Sequence, residues 1–369
     1  MSSVLGFIFD AAGVIVPLAL SDAFKPHVPQ EAKTNVQIII GHGSSTAGGT
    51  VPHIALWDDD GNRIGQFHPD GDEKIGNGDV KTITIDHSQT VPKYSQADPY
   101  YVLVSQLSDD ATCIAAITVA NSKISGAFYG DTGYKCGQSW FASDNRIGSD
   151  FWKPKCVWLD ANHDNGINAR ALSFHLNDMQ ANDAKLDEYY ENLDALCKST
   201  PRFSFWGNLL PDGIIPFFNP KLEYKDDNGA DVDLSKVLDD PNHPFDKSVY
   251  LHQGEKKASR ARSAKTRRTP RGANHDPSHL IISDQDTDVR EICNHPNSYG
   301  WDIVSTQQGV FCDMEHKQLY PLCGGGIASN CFSLNSTTLI GEQTIARDES
   351  AMKLRFGRSY NTTAHWGKM

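Results

Sequence analysis

Short apolar stretches alternate with polar turns along residues 34–180 of the chain. Clusters of Gly, Asn and Asp, such as 43–49 and 58–62, separate them. Short strands divided by turn residues at fairly regular spacing are typical of a β-sandwich. The near-continuous apolar run 36–40 predicts a strand that is buried on both faces. The predicted strands are 35–41, 51–57, 80–85, 100–106, 112–120, 156–159 and 171–176.

The pattern changes after the last of these strands. Leu186, Tyr190, Leu193 and Cys197 recur at spacings of three and four, which predicts a helix that follows the sandwich. Together these elements form a predicted first domain of residues 34–200. Residues 201–253 are rich in Pro, Asn and aromatic residues, and we expect them to extend over a domain surface, because soluble proteins rarely expose large apolar patches.

A basic linker, residues 254–277, precedes a smaller domain at 278–369. A strand at 279–282 and a helix at 286–294, capped by Asp286 or Thr287, are followed by a predicted hairpin meander. The predicted fold class is therefore mainly β. It combines an N-terminal β-sandwich of jelly-roll type, a short helical segment and a small disulfide-stapled α+β C-terminal domain.

The N-terminal segment, residues 1–33, is apolar at 4–9 and 11–20. A secretory signal begins with basic residues, whereas the first base here is Lys25, and Asp10 interrupts the apolar run. The run is also too short for a stable membrane span. Two interpretations stay open: an atypical signal peptide, or a packing helix inside the protein or between subunits.

Charge is distributed unevenly around the net value of −12. Residues 256–271 carry lysines and arginines without an acid, so the remainder of the chain is strongly acidic. Such a surface repels phosphate polyanions and argues against nucleic acid as a partner. The dibasic pairs Lys256-Lys257 and Arg267-Arg268 are either processing sites or part of a solvated flexible strap.

Eight cysteines divide evenly between the two sides of the basic linker. Two separate disulfide sets, formed in an oxidising compartment, are the preferred interpretation. Zinc ligation and buried free thiols are the alternatives. Pairs such as Cys293–Cys312 and Cys323–Cys331 would staple the meander, although four cysteines permit three pairings. The acceptor sequons at Asn335 and Asn361 agree with secretion. The cysteines are Cys113, Cys136, Cys156, Cys197, Cys293, Cys312, Cys323 and Cys331.

Two stretches of the chain resemble a widespread family of ascomycete fungal proteins. The first runs from the Gly-Asp-Thr-Gly-Tyr-Lys-Cys-Gly motif at 130–137 through Trp140 and Phe141 to the segment 152–160. The second is 309–323. The resemblance implies a β-rich domain, a basic stretch and a small Cys-rich C-terminal domain in a secreted protein, and it implies no activity, because the family has no assigned function.

Oxygen side chains are spaced along the loop 160–168 as in a short cation-binding loop. Asp160, Asn162, Asp164 and Asn168 are therefore candidate calcium ligands. The loop departs from an EF-hand, since its glycine is at position seven and it lacks the bidentate glutamate. An Asx-rich turn between two strands is the alternative.

Aromatic residues near the predicted turns offer a second candidate site, because exposed aromatic rings on a β-sandwich can stack on sugars. Packing in the core around Cys136 and Cys156 is the alternative. The residues concerned are Tyr94, Tyr100, Tyr101, Trp140, Phe141, Phe151 and Trp152.

Motifs that carry chemistry are absent from the sequence: it has no G-x-S-x-G, H-E-x-x-H, P-loop or G-x-G-x-x-G pattern. The first hypothesis is accordingly a non-catalytic extracellular structural protein that associates with itself. The second is a secreted carbohydrate-binding module, with calcium as its one candidate cofactor. The third is a hydrolase with an unrecognised site. The expected partners are a second copy of the chain or an extracellular glycan, without nucleic acid or a stable membrane span.

Overall fold

A computed structural model describes residues 5–9, 15–19, 32–43, 46–71, 73–89, 97–163, 167–222, 275–341 and 359–367. The chain divides into two compact units, Met1–Lys265 and Thr266–Met369. The basic linker, including Lys256, Lys257, Arg267 and Arg268, lies outside the described residues.

Strands form most of the regular secondary structure in the described part of the first unit. In chain order its strands are β1 (Leu5–Phe9), β2 (Ile15–Ala19), β3 (Lys33–Ile40), β4 (Gly49–Thr50), β5 (His53–Trp57), β6 (Arg63–Phe67), β7 (Lys74–Ile75), β8 (Val80–Asp86), β9 (Tyr101–Ser105), β10 (Thr112–Ala120), β11 (Ser125–Tyr129), β12 (Trp140–Phe141), β13 (Cys156–Leu159), β14 (Ala171–His175) and β15 (Phe203–Trp206). Its helices are α1 (Gly130–Lys135), a 3-10 helix (Leu176–Met179), α2 (Asp183–Glu191) and α3 (Asp194–Cys197).

Two sheets face each other in this unit. The larger has the order β12-β13-β10-β11-β1-β2, with β3 also pairing with β10 and β8 with β3. The smaller has the order β15-β14-β9-β5-β6. Phe128 of the larger sheet stacks on Phe174 and Phe203 of the smaller one, with ring centres 5.9 and 5.5 Å apart. The predicted mainly β fold with an N-terminal sandwich is thus confirmed.

The outer face of the smaller sheet is also covered. Residues 207–222 lie over it and bury Leu209, Ile215 and Phe218 against Trp57 and Tyr101. Both faces of β5 and β9 are therefore buried, which explains why their sequences are apolar at almost every position rather than at alternate ones.

The described parts of the N-terminal segment, residues 5–9 and 15–19, are two paired strands, and they are not the packing helix that was one of the two open interpretations. Strand β1 pairs antiparallel with β2 and parallel with β11. Gly6 allows this close approach, because a Cβ there would lie 2.5 Å from the Tyr129 ring. Phe7, Ile8 and Leu18 are buried. A free sheet edge thus supplied backbone partners for this apolar segment, which local sequence cannot reveal.

The second unit is an α+β domain. Its strands are β16 (His275–Ser283), β17 (Gly300–Ser305), β18 (Val310–Asp313), β19 (Gln318–Pro321), β20 (Cys331–Ser333), β21 (Thr338–Ile340) and β22 (Thr362–Trp366), and its helix is α4 (Val289–Asn294). The main sheet has the order β19-β18-β17-β16-β22. Asp288 caps α4 by accepting the amides of Arg290 and Glu291, both at 3.0 Å, so the expected cap at Asp286 or Thr287 is wrong.

All eight cysteines are paired in four disulfides, two in each unit. The bonds are Cys113–Cys156, Cys136–Cys197, Cys293–Cys312 and Cys323–Cys331. The disulfide prediction is confirmed, and the pairing leaves no thiolate for zinc. Four disulfides indicate a protein that folds in an oxidising compartment.

Candidate functional site

Residues 130–155 form an insertion between two strands, β11 and β13, that lie end to end along the same edge of β10. Strands β11 and β13 pair with the same side of β10, with Tyr129 opposite Ala116 and Val157 opposite Ile114. The chain leaves this edge of the sheet after Tyr129, at the end of β11, and returns to it at Cys156, where β13 begins. The two ends of the insertion touch, since a Cβ on Gly130 would lie 2.0 Å from the carbonyl oxygen of Lys155. We call this contact the neck.

The insertion is fixed to the sandwich at several points. The disulfide Cys136–Cys197 joins the end of α1 to α3, and β12 pairs with β13. The amide of His42 donates to Ser143 Oγ at 2.9 Å and to Asn145 Oδ1 at 2.8 Å. The amide of Asp144 in turn donates to the carbonyl of His42 at 2.7 Å. The residues that follow are therefore presented from a rigid base.

A tight turn at 147–152 presents Phe151 to solvent. The amide of Ile147 donates to the carbonyl of Trp152 at 2.8 Å, and these two residues form an isolated β-bridge. Phe151 has a φ of +54°, which places a bulky aromatic residue in the left-handed region. Its side chain is 67% exposed. Backbone strain and an exposed aromatic ring are both unfavourable, and such residues cluster at functional sites.

Polar residues flank Phe151 on both sides in the sequence. Ser149 Oγ donates to Asp150 Oδ1 at 3.3 Å, and both residues are exposed. Lys153 forms an ion pair of 2.8 Å with Asp144. Trp152 is half-buried. The turn thus combines one apolar ring face with hydrogen-bond donors and acceptors.

Asp131 lies buried at the neck, at the start of α1. Its side chain is inaccessible to solvent, and neither carboxylate oxygen makes a hydrogen bond of good geometry. Burial raises the pKa of Asp131 to about 6, although the Lys155 ammonium and the Trp152 indole N–H oppose the shift. The Tyr129 hydroxyl is also buried and makes no hydrogen bond of good geometry. The Asp131 carboxyl and the Tyr129 hydroxyl therefore lie near each other at the neck with weak hydrogen bonding.

The Lys155 side chain completes the neck. Its Nζ lies 4.4 Å from the ring centre of Tyr134 and 5.4 Å from that of Trp140, which are cation–π distances. The ammonium is thus held by two aromatic rings of the insertion, and its attraction for Asp131 does not offset the burial of that carboxyl.

Three of the four predicted calcium ligands, Asp160, Asn162 and Asn168, lie among the described residues. Asp160 is buried, and its Oδ1 accepts the amide of Asn162 at 3.3 Å, as in an Asx turn. His163 bonds to the carbonyl of Ile167 at 2.8 Å and to Asn208 at 3.3 Å. Asn162 and Asn168 are exposed, and Asp164 lies outside the described residues. Calcium binding by this loop stays a prediction.

A second acidic group lies between β18 and β19. One ligand atom each from Asp313, Glu315 and His316 falls within 4.8 Å of the others. Asp313 Oδ1 accepts the amides of Glu315 and His316, and Oδ2 bonds to the His316 ring at 2.9 Å. These bonds account for the cluster as the internal bonding of a turn.

The aromatic residues proposed as a sugar platform separate into two groups. Tyr101, Trp140 and Phe141 are buried and belong to the core. Tyr100 is half-buried and stacks on His175, with ring centres 6.1 Å apart. Tyr94 lies outside the described residues. Among the described members Phe151 alone is exposed, beside the half-buried Trp152.

A buried ion network anchors the helical part of the first unit. Asp178 bonds to His175 Nδ1 at 2.9 Å and pairs with Arg202 Nε at 3.2 Å and with Lys185 Nζ at 3.9 Å. Burial by itself raises the pKa of Asp178, but Arg202, His175 and Lys185 outweigh it and hold that pKa well below its usual range. Burial lowers the pKa of Lys185 to about 8. Since these side chains are sealed from water, we assign the network to stability.

The two predicted glycosylation sites lie at the protein surface. Both sequon asparagines, Asn335 and Asn361, are exposed and accessible to modification. Within the described ranges, none of the helices has the length and apolar character that a membrane span requires. No protein-family model matches the chain, and no curated protein matches it.

Sequence reasoning did not single out Asp131 or the network around Asp178. A weak signal exists for each. Asp131 comes two residues after the apolar strand 125–129, where an acid is unusual, and His175 and Asp178 are three residues apart. Neither signal specifies a partner, because Lys155 and Arg202 join these groups only through the tertiary fold.

Proposed function

We propose that this protein is a secreted, non-catalytic glycan-binding protein whose binding surface is the turn 147–152. The observation that carries the proposal is Phe151, which is strained and exposed on a rigidly anchored insertion. Sugar rings offer an apolar face to stack on an aromatic ring and hydroxyls for polar groups at its rim. The protein would contact its ligand through Phe151, with Ser149, Asp150 and Lys153 as polar neighbours.

A glycan suits this surface better than a protein or a membrane does. A stable protein interface buries about 800 Å² on each partner around a cluster of apolar anchors. The other large apolar side chains that are exposed in the described part of the first unit lie on different elements: Val80 on β8, Tyr190 on α2 and Ile214 on the segment covering the smaller sheet. The net charge of −12 also disfavours anionic lipid surfaces.

The self-association hypothesis loses one of its supports. It drew on an apolar N-terminal segment that could seal a subunit interface, whereas Phe7, Ile8 and Leu18 pack within the first unit. Phe7 contacts Tyr189 of α2, with ring centres 5.5 Å apart. Self-association, the fungal family and a calcium requirement stay predictions.

We expect Phe151→Ala to weaken glycan binding about 5- to 150-fold, taking as a guide the roughly 1–3 kcal/mol that stacking of one nucleobase on an aromatic ring contributes. The full oxidised chain would be tested in pull-down and calorimetry against insoluble chitin, β-1,3-glucan, mannan and cellulose, with calcium and with a chelator. Ile214→Ala is the matched control, since Ile214 is 66% exposed but lies outside the insertion. Equal loss in both variants, or no binding of any polysaccharide by the wild type, would refute the proposal.

Phe151→Gly should separate binding from stability. Glycine adopts positive φ without steric cost, so the substitution relieves about 1–2 kcal/mol of backbone strain. Part of this gain is lost, because glycine also increases the conformational entropy of the unfolded chain. We expect a free energy of unfolding raised by up to about 1 kcal/mol together with lost glycan binding. Urea unfolding of Phe151→Gly beside Phe151→Ala provides the test, and a Gly variant less stable than the Ala variant would show that the backbone at 151 is not strained.

A further inference from the structure

The neck of the insertion contains a carboxyl group in an unusual setting. Asp131 is fully buried, it lies two residues after the end of β11, and the preceding Gly130 touches the point where the chain returns at Lys155. Its oxygens make no hydrogen bond of good geometry, and the Trp152 indole N–H and the Lys155 backbone N–H favour the ionised form without offsetting its burial. A buried carboxylate with weak partners is costly, whereas a protonated carboxyl is tolerated at far lower cost.

The groups around Asp131 give its charge little compensation. The Lys155 ammonium faces it from the neck, but that ammonium also lies against the rings of Tyr134 and Trp140. The Tyr129 phenol faces it from β11 and keeps its proton, because burial raises the pKa of Tyr129 well above its ordinary value. Strands β1, β10, β12 and β13, which pack against α1, bring no ionisable side chain except the disulfide-bonded Cys113 and Cys156.

We propose that Asp131 is a proton switch that closes the neck when it is protonated and loosens the insertion when it is ionised. An ionised Asp131 draws the Lys155 ammonium away from Tyr134 and Trp140, or draws water into the neck past Trp152. Either movement changes the surroundings of Trp152, whose indole N–H faces the carboxyl and which is the neighbour of Phe151 and one half of the bridge that holds the turn. This inference rests on the proposed function only for its consequence, which is that glycan binding is favoured in acid.

The direction of the pH effect follows from the buried carboxyl. The pKa of buried Asp131 is about 6, above the ordinary value of 3.8. Between these two pH values the carboxyl is protonated in the closed form and ionised in the loosened form, so closing is coupled to the binding of one proton. The closed insertion is therefore fully favoured below about pH 4, and this advantage is lost as the pH rises through 6. A difference of about two pKa units corresponds to a shift of up to roughly 100-fold in the equilibrium between closed and loosened forms.

Hydrogen exchange of the full oxidised chain tests the switch directly. Protection factors of peptides from 130–155, corrected for intrinsic rates, should fall by about tenfold between pH 5 and pH 8. In Asp131→Asn, whose amide mimics the neutral carboxyl, the same protection factors should stay constant. Asp150→Asn is the matched control, because Asp150 is an exposed acid of the same insertion and its loss should leave the wild-type pH response unchanged.

Glycan binding measured at the same two pH values separates the switch from the proposed function. A pH response of exchange without any glycan binding would support the switch and refute the function. Binding with pH-independent exchange in the wild type would refute the switch and support the function. Equal pH responses in the wild type and Asp131→Asn would also overturn the switch, and the wild-type profile decides the matter even if the variant fails to fold.

Discussion

Asp178→Asn is expected to lower the free energy of unfolding by about 3–5 kcal/mol, because it removes the anion at the centre of a buried network. Arg202 and Lys185 would keep their buried positive charges without that partner, and the 2.9 Å bond of His175 would face a neutral amide in place of a carboxylate. Burial of an uncompensated charge costs more than the original pair contributed. Urea unfolding followed by hydrogen-exchange mass spectrometry would report the first unit separately from the second.

The control for this prediction lies on α3. Asp194 pairs with Lys198 at 2.7 Å, but 49% of the Asp194 side chain and 69% of the Lys198 side chain are exposed. Exposed pairs of this kind contribute at most about 1 kcal/mol. Asp194→Asn should therefore change stability little. Similar values for the two variants would mean that the Asp178 network is open to water.

Removal of Cys136–Cys197 is the second large effect that we expect. The bond closes 61 residues, and the chain-entropy model assigns about 4 kcal/mol to a loop of that length. The double Cys→Ser variant should also weaken glycan binding, because this bond fixes the insertion to α3. Removal of Cys323–Cys331, which closes only 8 residues, should cost about 2.5 kcal/mol and leave the first unit unchanged.

These two double variants control for each other. Each replaces one disulfide, and the two bonds lie in different units. Denaturant unfolding under oxidising conditions, read from peptides of each unit, gives the cost of each bond. A loss of stability at 278–341 upon removal of Cys136–Cys197 would contradict the assignment of independent disulfide sets.

The glycan-binding and switch proposals connect through the insertion. Its neck contains a carboxyl group that ionises near pH 6, and its turn presents a strained aromatic residue. Both features are unfavourable for the folded state. A stable scaffold compensates for them, and the two disulfides of the first unit and the Asp178 network contribute to that scaffold. We therefore expect the largest losses of stability at the scaffold residues and the largest losses of binding at Phe151.

Several features of the fold could be predicted from the sequence because they depend on local pattern. Alternation of short apolar runs with Gly, Asn and Asp turns indicated strands, and the near-continuous run 36–40 indicated the buried strand β3. An even number of cysteines on each side of a basic stretch indicated disulfides. In these cases the signal lies within a few residues, so composition and spacing were sufficient to predict a mainly β, disulfide-bonded fold.

Features that depend on distant partners were decided by the tertiary structure alone. The N-terminal segment became a hairpin because β11 offered an unpaired edge, and Tyr101, Trp140 and Phe141 became core residues because of what covers them. A side chain's burial sets its chemistry, as for Asp131, whose carboxyl differs from other acids of the chain only in its surroundings. Sequence determined which residues could form strands and disulfides, whereas only the packing of distant segments decided which side chains face water.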